Sequence, residues 1–289
     1  MMRALMGCGW MFAAKVQPRP GAMIAWWCAI STILIVPGAL ADLTPQQQRD
    51  VVTEAQQSYD RGIATLRSNP GEAHIKFQNA AQRFQLVVDS GVRNGLLYYN
   101  LANAYLQSGD VGRAILNYRR AQRLIPGDAR VASNLTFARS QCKTPIAPSG
   151  QRALSAALLW WHNHTAVRTR FDIFMIAYGL FWLAVLLRMW RGTGIWLIVA
   201  IGTGLVWIAL GASVALDVSG WGHRPAGVIL ADNVIVRKGN GAGFEPQFAQ
   251  ALSPGVEFEV LEHRGDWLDI ELPNGSSGWI EMSQAELVP

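Results

Sequence analysis

The chain has 289 residues, of which 51% are apolar and only 16% charged. That balance is too apolar for a chain hydrated throughout, so part of it is expected to meet lipid. The formal charge of +5 is spread along the chain with no basic helix or aromatic RNA-binding signature, which argues against nucleic-acid binding. Of three cysteines, Cys8 and Cys28 precede any processed chain and only Cys142 remains, which excludes an intramolecular disulfide framework there.

Residues 1–41 have the layout of an export signal. Arg3, Lys15 and Arg19 give a basic start, Ala22 to Val36 an apolar stretch, and "ALA" at Ala39 to Ala41 a cleavage site before Asp42. Three outcomes stay open: cleavage between Ala41 and Asp42, translation from Met23, or an uncleaved anchor. In each, the next residue emerges outside the cytoplasm.

Residues 42–143 are expected to form a helical array. Apolar residues recur at helical spacing from Gly95 to Gln107 and from Val111 to Leu124, with "SGD" at Ser108 to Asp110 as stop and cap, and Pro126 ends the second helix. Counted from Gly95, the residues Tyr98, Leu101, Ala102, Tyr105, Ala114, Tyr118, Ala121 and Pro126 fall where a 34-residue tetratricopeptide repeat carries its signature, and the stretch resembles that repeat. Ala80, Phe84 and Val87 lie one period upstream of Ala114, Tyr118 and Ala121. This points to a degenerate first repeat whose helices, the first from roughly Gln46 to Leu66, are separated by a long loop "RSNPGEAHIK". "ARVASNLTFARSQ" after Asp128 has the period of a capping helix. Two repeats and a cap are fewer than the roughly three needed for independent stability, so the array is expected to lean on a partner or on the rest of its own chain. The resemblance implies a concave groove carrying Tyr99, Asn100, Asn103 and Gln107, with Arg130 and Asn134 from the cap. Those residues are either scaffold or a peptide site in which amides hold a backbone and Arg130 meets a carboxylate.

Residues 144–170 read as a linker, "TPIAPSG", and an interfacial segment, "ALLWWHNHTAVRTR". His162 and His164 are two apart and face different sides of a helix, a poor metal site. Phe171 to Leu187 and Ile195 to Leu216 are apolar on all sides and reach roughly 26 and 33 Å, enough for two membrane spans. Trp160, Trp161, Trp182, Trp190, Trp196, Trp207 and Trp221 include several at the span ends, as interface anchors should. With Asp42 outside, the short turn is cytoplasmic; Arg188 and Arg191 follow the positive-inside tendency, whereas Arg152, Arg168 and Arg170 lie on the outer side, so orientation rests mainly on the export signal. No acidic residue or histidine sits mid-span, which argues against ion transport.

From residue 224 to 289 the period becomes two. "VEFEVLE" and "WLDIEL" alternate apolar with acidic residues between Gly, Pro and Asn turns, the pattern of a small antiparallel barrel. "VIVRKG", "GDW" and "GWI" resemble a bacterial SH3-like domain. Trp267 and Trp279 are candidate ligand-binding aromatics for a peptide or glycan, or cover the barrel's edge.

In sum the expected fold is multidomain, α plus β: a tetratricopeptide solenoid, a transmembrane hairpin and an SH3-like β-barrel. That order of modules resembles the BatE-type proteins of the bacterial aerotolerance operon. The resemblance implies a multi-pass inner-membrane component with repeats and barrel on the periplasmic side, working with von Willebrand factor A-domain proteins and a MoxR-type ATPase in envelope stress or aerotolerance. No catalytic grouping, phosphate loop or zinc spacing is evident, so neither enzymatic activity nor a cofactor or metal is expected. Two functions remain open: a membrane-anchored adaptor for proteins, or a peptidoglycan-binding protein acting through the SH3-like domain.

Overall fold

The structure is a computed structural model that describes residues 43–150, 152, 154, 157, 159, 161, 162, 165–219 and 224–288. The expected cleavage site at Ala41 and Asp42, Cys8 and Cys28, and Trp160, His164, Trp221 and His223 lie outside the described residues.

Among the described residues five helices come first: α1 (Pro45–Thr65), α2 (Pro70–Asp89), α3 (Gly95–Gln107), α4 (Val111–Leu124) and α5 (Ala129–Ser140). Each begins at a side-chain cap that supplies an acceptor to otherwise unpaired backbone N–H groups. Thr44 and Gln47 form a capping box at α1, and Asn69, Asn94, Asp110 and Asp128 cap the other four. The α3 and α4 boundaries coincide with those expected from periodicity, and Gly109, at φ 77°, makes the reversal between them. The long loop expected after the first helix is absent. Leu66 to Asn69 suffice, because Pro70 at the first helical position has a backbone angle already suited to the helix that Asn69 caps.

Each helix packs against the next in the chain. Small residues permit the approach: Ala80, Ala102, Ala104 and Ala114 are fully buried, and Gly62 would place a Cβ 2.7 Å from the Phe77 ring. Phe84, Leu101 and Tyr118 fill the space beside them.

Two long helices follow, α6 (Val167–Arg191) and α7 (Gly194–Ser219), packed on each other and joined by a turn at Gly192, φ 66°. Both are long and apolar enough to cross a membrane, and only 11% and 17% of their most apolar stretches are buried. A core helix of a water-soluble protein would be mostly covered; here the outward faces present Ile176, Leu186, Ile198 and Leu205.

The last part is a five-stranded antiparallel sheet: β1 (Ala226–Ile229), β2 (Glu257–Arg264), β3 (Trp267–Glu271), β4 (Ser277–Glu281) and β5 (Ala285–Val288), in the order β4-β3-β2-β1-β5. The expected closed barrel is instead an open sheet, because β5 pairs with β1 and no ladder joins it to β4. The segment between β1 and β2 folds on itself through a bridge from Val234 to Leu252 and reaches β4 through a bridge from Arg237 to Trp279. Alternation puts Phe258, Val260, Leu268, Ile270 and Ile280 on one face, where they pack with Val234, Val236 and Leu252.

The opposite face of β1 and β5 is not solvated. Val228 and Val288 are buried in the same cluster as Ala114, Ile115, Tyr118 and Leu135 of the helices. Gly112 lets α4 come within reach of the sheet: an added Cβ would lie 3.1 Å from the Ile229 carbonyl oxygen. Arg120 bonds Glu286 at 2.5 Å, Arg119 bonds Glu257 at 3.1 Å, and Arg139 holds the same Glu257 at 2.7 and 3.0 Å. The short helical array does lean on the rest of its own chain. The stretch 144–150 is likewise no free linker: Thr144 bonds Ser253 at 2.7 Å, Ser149 donates to the Pro273 carbonyl, and Ile146 packs on the sheet core.

Candidate functional site

Four of the six residues expected to line a groove come together. Asn134 on α5 donates to the Tyr99 hydroxyl at 3.2 Å and to Asn103 Oδ1 at 3.0 Å, and Tyr118 donates to the same Oδ1 at 2.5 Å. Arg130 lies over the Tyr99 ring at 5.5 Å. Its guanidinium is engaged by Asp128 at 2.6 and 3.1 Å, so the cation expected to meet a ligand carboxylate already meets one in its own cap. That pairing holds the Asp128 carboxyl at about 2. Asn100 is half-buried and Gln107 exposed, and neither belongs to this network among the described residues.

The network is a lock between helices. Burial pushes the Tyr118 hydroxyl far above its usual range, so the phenol stays a neutral donor to Asn103. Asn103→Ala should cost about 1–3 kcal/mol, because it strands the buried Tyr118 hydroxyl and one Asn134 donor. Urea unfolding with and without Tyr118→Phe checks this: the second change should recover part of the loss.

Trp267 and Trp279 share the sheet face opposite the core, with Trp267 across from Glu281 and Trp279 across from Asp269. Both are half-buried, and Arg264 lies over the Trp279 ring at 5.6 Å while it pairs with Glu262 at 2.6 Å. Burial, then the Glu262 charge, raises the Asp269 carboxyl above its ordinary value. This is an aromatic surface rimmed by carboxylates, suited to a ligand with apolar faces and a cationic or hydroxyl group.

A third cluster was not anticipated. At the open end of the hairpin, Arg170 on α6 pairs with Asp217 on α7 and donates to Ser213 Oγ at 2.5 Å. His162 Nδ1 lies 2.6 Å from the Arg170 Nη1 atom and its Nε2 lies 3.5 Å from Asp217. Guanidinium only donates, so Nδ1 accepts and the imidazole proton sits on Nε2, facing the carboxylate. One signal in the sequence could have found it: a cation just before the first apolar run and an anion just after the second fall side by side in any antiparallel hairpin.

Among the described residues no group of three or more His, Cys, Asp or Glu is placed to hold a metal ion. Cys142 is half-buried, with its Sγ 3.4 Å from the Pro254 carbonyl and 3.5 Å from Ser253 Oγ. No protein-family model, curated protein or solved structure matches the chain.

Proposed function

We propose that this chain is a non-catalytic adaptor anchored by a membrane hairpin, with a tetratricopeptide array and an SH3-like sheet forming one head outside the cytoplasmic membrane. The observation that carries this reading is the meeting of chain ends. Arg170, at the start of α6, and Asp217, near the end of α7, are paired, so a hairpin that spans the bilayer returns the chain to the side it left. The array precedes the hairpin, the sheet follows it, and α4 is docked on β1 and β5; both folded parts therefore share a side. Arg188 and Arg191 at the far tip favour a cytoplasmic tip.

In this role the protein is BatE-like. It is multi-pass, carries its head on the periplasmic side, and scaffolds an aerotolerance or envelope-stress complex with von Willebrand factor A-domain proteins and a MoxR-type ATPase system. Its exposed surfaces, the outer helix faces and the Trp267 and Trp279 face, receive those partners. The test is labelling of intact spheroplasts with a membrane-impermeant maleimide, in a background lacking the native cysteines. Ser68→Cys, in the turn before α2, should label; Gly192→Cys, at the tip, should label only after lysis. The reverse pattern inverts the scheme. Cross-linking and mass spectrometry on native membranes then identify what the head holds.

A second reading, peptidoglycan binding, is favoured by one observation: two tryptophans share a sheet face with carboxylates. Full-length protein in detergent would sediment with purified peptidoglycan in this case, and Trp267→Ala with Trp279→Ala would release it. Recovery in the supernatant leaves the adaptor.

A further inference from the structure

A cleft of about 920 Å³ opens where the helices, the sheet and the open end of the hairpin meet. Its volume falls in the range of about 300–1,000 Å³ usual for small-ligand sites. One side is formed by Ala166, Val167, Arg170 and Asp217 of the hairpin, within a turn of the point where the apolar surface begins at Phe171. If the hairpin spans a bilayer, this level is that of the lipid headgroups.

The remaining walls carry both signs of charge. On the helix side Arg119 and Arg139 share the single carboxylate of Glu257. Two cations on one anion leave a net positive charge. Arg139 lines the cleft and applies Nε and Nη2 to that carboxylate, and a guanidinium carries five N–H donors in all, more than Glu257 uses. Arg123 lies on the same wall, where burial first and the neighbouring Arg119 charge second lower its affinity for its proton. On the sheet side Arg152 lies between Glu271 at 3.0 Å and Glu259 at 3.4 Å, and Glu271 also receives Arg224 at 2.5 Å. That wall is close to neutral. A polyanion would need a long run of uncompensated cations. A single phosphodiester needs only a short one, and planar guanidinium matches its oxygens in a forked pair.

We propose that this cleft binds the phosphodiester headgroup of a membrane phospholipid, with Arg119 and Arg139 on the phosphate oxygens and the acyl chains running down the outside of α6 and α7. The proposal rests on the membrane reading of the hairpin. Glu257 is the internal competitor: it occupies the two guanidiniums when the cleft is empty and yields donors when a phosphate arrives. Its removal must therefore act opposite to removal of the arginines.

The experiment uses the full chain extracted in a mild detergent, with bound phospholipid counted by native mass spectrometry. Wild type should retain one phospholipid per chain. Arg119→Gln with Arg139→Gln should lower retention at least tenfold, while Glu257→Gln should raise it several-fold. Loss of the salt bridges by either route loosens the same contact, so equal falls in both variants mean that retention follows fold integrity, and the proposal fails. An unchanged count in the double variant overturns it as well. Nanodiscs of a phospholipid against nanodiscs of a glycosyl diacylglycerol separate phosphate from general lipid affinity. Displacement by millimolar inorganic phosphate assigns the site to soluble phosphate and overturns the lipid assignment. Flotation of wild type with liposomes reports insertion independently: no flotation is a failure of the hairpin reading, whereas flotation without a retained phospholipid is a failure of this one.

Discussion

Asp217→Ala will destabilise the hairpin by about 3–5 kcal/mol, the usual result of removing one partner from a buried ion pair. Arg170 has a side chain only 4% exposed and cannot recover hydration where it stands. Its remaining described neighbours, Ser213 and His162, supply acceptor atoms but no negative charge when the imidazole is neutral. Arg170→Leu with Asp217→Leu removes both charges and should be far less costly than Asp217→Ala, because no buried charge is left without a counter-charge. Thermal melting in detergent, followed by tryptophan fluorescence, reads the difference through Trp207, which packs among Phe174, Tyr178 and Phe181 in the hairpin. Equal losses in the single and double variants would show that the pair acts through packing rather than charge.

What could be seen in the residues alone followed from the range of the interaction concerned. Asn94, Asp110 and Asp128 cap the helices they precede through bonds of two or three residues' reach, so the boundaries of α3, α4 and α5 were legible. The two apolar helices were legible for the same reason, since length and composition are local properties. "SNPG" was misjudged because Asn and Pro serve both turns and helix starts, and only the start is realised at Asn69 and Pro70. Docking of the sheet on α4 left no local mark. Val228 and Val288 are two apolar residues on a face that also carries Glu257 and Glu286, and the arginines that meet those carboxylates are more than 100 residues away. The cluster around Asn103 was half legible. The resemblance to a helical repeat put Asn103 and Asn134 on one expected surface, but their mutual hydrogen bond depends on the register between their helices, which no spacing encodes.

The docked face also makes the sharpest test of whether the head is one body. Val228→Asp should cost about 3–5 kcal/mol, since aspartate is close to valine in volume and the change is almost purely one of charge and hydration. Val228 is fully buried against α4, and its cross-strand neighbours are Glu257 on one side and Glu286 on the other. A third carboxylate there finds Arg119 and Arg120 already holding those neighbours, and it suffers repulsion from both carboxylates. The least costly escape is for the sheet to leave the helix. Hydrogen exchange should then accelerate in β1, β5 and α4, while the α1–α2 pair, whose buried cluster around Ala80 and Phe84 holds no sheet residue, keeps its protection. Val228→Thr, which adds a hydroxyl without a charge, should produce a smaller shift in the same amides. Unchanged exchange in α4 with Val228→Asp would mean that array and sheet are held together elsewhere, and the single head on which a shared side of the membrane depends would have to be abandoned.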